Sequence, residues 1–220
     1  MKGGERPIIV WDVPTRLFHW LVVALVIAAY VTLELNWMDM HAWIGEAVLA
    51  LVLFRLLWGF LGSDTALFSR FIKAPGVAIR HLAHLFRREP DHQIGHNPAG
   101  GWMVLLLLFL LLGETLSGLY VANDVADDGP FTEIVPASVA DAITRLHAIF
   151  WYALLAAITL HVAAILVYWI AKRQNLVLPM ITGRKSLPAG APLPRLGTVL
   201  RAAILLTASV LAVAALATYS

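Results

Sequence analysis

Five stretches of the chain, roughly residues 16–34, 41–62, 99–122, 145–171 and 197–218, are almost wholly apolar. Each is close to the ~20 residues that a helix needs to cross the hydrocarbon core of a bilayer. No other feature constrains the fold so strongly, because inside lipid every backbone polar group must be satisfied within the segment itself, and a single apolar run does that only as a helix. Composition agrees: 60% of the residues are hydrophobic and 14% are charged, against roughly 25% charged in an average soluble domain. The expectation is an all-α integral membrane protein. The run from Leu17 has no small-residue cleavage site after it and is read as a retained span, not a signal peptide.

The connecting segments alternate in charge. Residues 63–98 carry Arg70, Lys73, Arg80, Arg87 and Arg88, and the Pro-rich linker 172–196 carries Lys172, Arg173, Arg184, Lys185 and Arg195. Between them lie acidic links, with Glu34 and Asp39 in one and Asp124, Asp127, Asp128, Glu133 and Asp141 in the other. Positive charge is retained on the cytoplasmic side. That places the N-terminus, residues 63–98 and the 172–196 linker in the cytoplasm, with the acidic links and the C-terminus outside. The net charge of +2 does not imply nucleic acid, since the basic residues form no tract with interleaved aromatics. The chain has no internal repeat and no cysteine, so disulfides, thiolate metal sites, iron–sulfur clusters and covalently attached haem are excluded together.

Four of the eight histidines, His19, His41, His147 and His161, fall on the expected spans. Polar residues at such depth are costly and default to a functional reading. His147 and His161 are 14 residues apart, which on a helix is about 21 Å of rise and a return to within about 40° of the same face. They share a stripe but not one metal ion. By depth, His41 is the outer partner of His147 and His19 the inner partner of His161. Two histidine pairs at two depths in an apolar bundle suit two b-type haems, whose macrocycles a helical bundle can bury and whose irons accept imidazole. With both axial positions filled, the chemistry left is electron transfer. The competing reading has each histidine bonding to a neighbouring helix, in a non-haem transporter or structural subunit; for a transporter, Glu114 is the one clearly internal acid.

Arg55 lies 14 residues after His41, near the depth of the inner haem, where a guanidinium can pair with a propionate; otherwise it snorkels to the interface. Arg16 and Arg145, each near a proposed ligand and an interface, are further propionate candidates. Glu114 could carry protons or bond to a neighbouring helix. Gly100, Gly101, Gly113 and Gly118 allow close approach of backbone or macrocycle. Residues 75–88, with His81 and His84, read as an amphipathic interfacial helix, and no metal role is assigned to these or to His92 and His96. Trp37, Trp43, Trp58, Trp102 and Trp169 lie near span ends, as in an aromatic belt.

RLFHW in the first span, HAWIGEAVLALVLFRLLWGFLG in the second, HNPAGGWMVLLLLFLLLGETLSGL in the third and LHAIFWYALLAAITLH in the fourth resemble the bacterial cytochrome b561 family, which includes the b-type cytochrome subunits of nickel-dependent hydrogenases. The similarity covers roughly residues 8–185. It implies a four-helix transmembrane bundle binding two haem b groups in the bacterial inner membrane, with His19 and His161 on the cytoplasmic-side iron and His41 and His147 on the periplasmic-side iron. Electrons would pass between the quinone pool and a partner redox protein, such as a c-type cytochrome, a hydrogenase or another dehydrogenase. A stand-alone quinone oxidoreductase using a small donor such as superoxide is the alternative on the same scaffold; the acidic outer segments disfavour an anionic substrate. The expected domains are a dihaem cytochrome b unit at 1–185 and, at 186–220, a linker with an additional fifth C-terminal helix. No nicotinamide or flavin fingerprint is present.

Overall fold

The computed structural model describes residues 4–83, 93–122 and 129–218. Its helices are α1 (Val13–Glu34), α2 (Met38–Leu61), α3 (Phe68–Phe71), α4 (Pro75–Ala83), α5 (Pro98–Gly118), α6 (Ala137–Ile170), α7 (Val177–Thr182) and α8 (Val199–Ala217). Among the described residues α1, α2, α5, α6 and α8 are long and apolar enough to cross a membrane, matching the five runs of the sequence. α6 starts at Ala137, well before the apolar run at 145, because its first two turns are helical but polar. Its 34 residues measure about 51 Å, so both ends extend beyond a core about 30 Å thick. Of the amphipathic helix expected at 75–88, α4 forms the first part; the remainder, with His84, lies outside the described residues, as does His92.

Local chemistry sets the helix starts. Asp12 caps α1, its Oδ1 accepting from the Thr15 amide at 2.6 Å. Asn97 caps α5 through the Gly100 amide at 2.7 Å, and Pro98 opens that helix at no cost to its hydrogen bonding. Thr198 caps α8 through the Arg201 amide. Between α1 and α2 the chain reverses through Asn36, at φ 56°, one of the few side chains that tolerate the left-handed region.

The central core joins α1, α2, α5 and α6 through Val22, Val48, Val52, Leu110, Leu111, Leu154 and Ala157. α1 packs along α2, α5 along α6, and α2 along α5. Among the described residues α1 and α6 do not pack backbone to backbone in this way; they meet through side chains such as Tyr30 and Trp151, whose rings stack at 5.8 Å. α8 lies outside this four-helix unit, against α2. It is fixed by the Gly197 amide on Ser63 Oγ at 2.7 Å, by Arg201 on the Leu61 carbonyl at 2.9 Å, and by paired bonds between Asp64 and Arg195.

At the end of the bundle bearing the basic segments, β1 (Glu5–Ile9) pairs antiparallel with β2 (Arg184–Pro188), Arg6 opposite Leu187 and Ile8 opposite Lys185. Ile8, Val10 and Leu187 form a small core there with Trp11, Ile94 and Ala191. No strand is legible in the sequence, since each has five residues and its partner is remote. Gly183 ends α7 at φ 78°, and its carbonyl accepts from the Val10 and Trp11 amides at 2.8 and 3.2 Å.

Candidate functional site

At the acidic end of the bundle, His41 opens α2 and His147 lies on α6. His41 Nδ1 donates to the Ala29 carbonyl of α1 at 2.9 Å, and His147 Nδ1 donates to the Glu114 carbonyl of α5 at 2.9 Å, with Ser117 Oγ 3.1 Å away. Tethering Nδ1 to a carbonyl sets the tautomer and leaves Nε2 with its lone pair, the arrangement typical of a metal-ligating histidine. The two rings lie within electrostatic reach of each other. One turn beyond His41, a Cβ on Gly45 would touch nothing within 4 Å, so open space lies beside this turn of α2. The Glu114 carboxylate has Oε1 3.3 Å from His147 Nε2, while Oε2 is buried without a partner. A single lone pair cannot serve both this contact and a metal. Arg145, two residues before His147, is exposed on α6.

At the basic end, His19 of α1 and His161 of α6 are likewise within electrostatic reach of each other, on the two helices whose backbones stand apart. Arg55 of α2 does not snorkel. It is 2% exposed, with Nη2 donating to the Ala66 carbonyl at a long 3.3 Å and the guanidinium 5.4 Å from the centre of the Phe68 ring. Asp12 is close enough for its charge to be felt at Arg55, but its oxygens are engaged elsewhere: Oδ1 by Thr15 and Oδ2 by the Trp58 indole at 3.1 Å. Trp58 is therefore no member of an interfacial belt; it is fully buried, and its N–H ties α2 to the cap of α1. Trp37, Trp43, Trp102 and Trp169 are exposed, as a belt requires. Arg16 donates to the Ile181 carbonyl through Nη1.

The sequence reading assigns His96 no metal role and no other. It lies in the loop before α5, its ring 4.6 Å from that of Trp11 and 4.7 Å from that of Phe71, centre to centre. Burial first, then the positive fields of Arg55, His161 and His19, push this imidazole down to about 3, so it is neutral at physiological pH. Its one sequence signal is position: it immediately precedes the Asn97-Pro98 helix start, which fixes it at the mouth of the bundle.

The buried polar atoms without a partner among the described residues are Thr15 Oγ1, Arg16 Nε, His19 Nδ1, Arg55 Nη1, Thr65 Oγ1, His96 Nδ1 and Glu114 Oε2. All but the last belong to the basic end. Burying so many unsatisfied groups together costs about 1–3 kcal/mol each, and a charged Arg55 more. A polar group bound there would supply the missing partners.

A family model described as prokaryotic cytochrome b561 matches residues 10–183. The chain belongs to this family. No match to a curated protein or to a solved structure was found. As a prokaryotic cytochrome b561 it is a membrane b-type cytochrome, an electron-transfer protein that binds b-type haem. The match ends at Gly183, before β2 and α8. The residues present fit haem: imidazoles within electrostatic reach of each other in two pairs, and buried cationic and hydroxyl groups with unpartnered atoms at one end.

Proposed function

We propose that this cytochrome b561 binds two haem b groups, one between His19 and His161 at the basic end and one between His41 and His147 at the acidic end. On this reading it moves electrons across the bacterial inner membrane between quinone and a partner redox protein. The observation that carries the reading is two histidines 14 residues apart on one helix, α6, each within electrostatic reach of a histidine from a different helix. Haem, when bound, supplies a one-electron couple at its iron. His19 with His161 and His41 with His147 would hold the haems through their imidazoles, and the chemistry such haems would supply is electron transfer rather than oxygen or substrate binding. At the acidic end the Ala29 and Glu114 carbonyls orient the two rings; occupying His147 Nε2 releases the Glu114 carboxyl, which then needs another partner. At the basic end Arg55 and Arg16 offer N–H groups to haem propionates, and Arg145 is available to the other haem. The retained positive charge of residues 63–98 and 172–196 sets the basic end in the cytoplasm and the acidic end in the periplasm. An acidic outer face suits a positively charged partner protein, and the steering it provides weakens with salt.

The test is a reduced-minus-oxidised spectrum of the purified protein, with pyridine haemochrome quantitation, followed by addition of a short-chain quinol. The expected result is about two haem b per chain, reduced by the quinol. Absence of haem, or haem that dithionite reduces and quinol does not, contradicts the proposal.

A further inference from the structure

Arg55, Thr65 and His96 come together by contacts on three segments. Arg55 bonds the Ala66 carbonyl, so it sits beside Thr65. Thr65 in turn abuts Gly95, where a Cβ would lie 3.4 Å from the Thr65 side chain. Gly95 has φ +89°, a left-handed turn that suits glycine and turns the chain inward just before His96. Each of the three side chains keeps a buried atom without a partner: Arg55 Nη1, Thr65 Oγ1 and His96 Nδ1. Among the described residues no carboxylate bonds to these three atoms: the bonds of Asp12 go to Thr15 and Trp58, and those of Asp64, which borders the same cavity, go to Arg70 and the Arg195 amide. Thr65 and His96 also line a cavity of about 400 Å³ together with Asp64, Phe71, Arg70 and Lys73, which opens this cluster toward the basic surface.

We propose that His96 and Thr65 complete, with Arg55, a receptor for a propionate of the haem at the basic end. His96 is here a positioning residue that sets that haem's potential, not an iron ligand. The inference rests on the dihaem reading above. A guanidinium N–H, an imidazole N–H and a hydroxyl are three donors from neighbouring segments, and a carboxylate accepts about four hydrogen bonds with one negative charge. It satisfies the three orphan atoms and neutralises Arg55 together. His96 suits this role better than axial ligation: it precedes the first turn of α5, at the mouth of the bundle, whereas His19 and His161 lie within α1 and α6. Removing a donor leaves the propionate's charge less compensated. That stabilises the ferric state and lowers the potential of this haem alone.

The experiment uses purified holoprotein and the variants His96→Phe, which keeps a flat ring between Trp11 and Phe71, and Thr65→Val. Haem per chain is counted, both haems are titrated potentiometrically, and haem loss to excess apomyoglobin is timed. The expected result is two haems per chain, a lower potential for one with the other unchanged, and faster loss of that one. Wild-type potentials and loss rates in both variants overturn the inference and leave the dihaem reading standing. A shift of both haems together overturns it as a change of fold. Loss of one haem in His96→Phe, with both kept in His19→Ala or His161→Ala, overturns it by making His96 an iron ligand. A wild-type protein without haem refutes the underlying reading instead.

Discussion

Replacing Asp12 by alanine removes two bonds at once, and the structure sets the size of the effect. Asp12 is buried, caps α1 through Thr15 and receives the Trp58 indole N–H. Loss of an N-cap costs about 1 kcal/mol. Leaving the Trp58 N–H buried without a partner costs about 1–3 kcal/mol more. A total near 3 kcal/mol lowers the melting temperature of a chain this size by about 6–12 °C. Asp12→Asn keeps one good acceptor oxygen, retains one of the two bonds and should fall by about half as much. Far-UV circular dichroism melting in detergent reads both variants. An unchanged melting temperature in Asp12→Ala would refute the reasoning, and equal falls in the two variants would show that the carboxylate's charge matters and its bonds do not.

Gly45→Leu fills the space beside His41 and is expected to cost the protein one haem per chain with helical content unchanged, while Gly45→Ala retains both; haemochrome quantitation with circular dichroism decides. Gly183→Ala forces a left-handed alanine, about 1–2 kcal/mol, and its Cβ would lie 2.8 Å from the Trp11 carbonyl oxygen, so a lower melting temperature is expected. Ser63→Ala removes the acceptor of the Gly197 amide, worth about 1 kcal/mol, and should speed limited proteolysis of the 189–197 linker without changing haem content.

The five spans were legible because apolar length is a one-dimensional property, and the depths proposed for the four histidines follow from residue count along the helices. What escaped depends on the third dimension. Trp58 has the same address in sequence as a belt tryptophan, near a span end, yet Asp12 captures its indole. His96 stands in a basic, aperiodic loop, and only the packing of Phe71 and Trp11 and the turn at Gly95 bring it against Arg55. The β1–β2 ribbon joins segments near opposite limits of the family unit, with no local turn between them. For Arg55 the snorkelling alternative falls to its burial, which the position of a residue near a span end does not reveal.

The central claim is the pairing of histidines across helices, and haem counts in double variants test it most directly. If His19 shares an iron with His161, and His41 with His147, then His19→Ala/His161→Ala and His41→Ala/His147→Ala each retain about one haem per chain, whereas His19→Ala/His41→Ala retains none. One haem left in His19→Ala/His41→Ala, or none in either same-pair variant, would contradict the account.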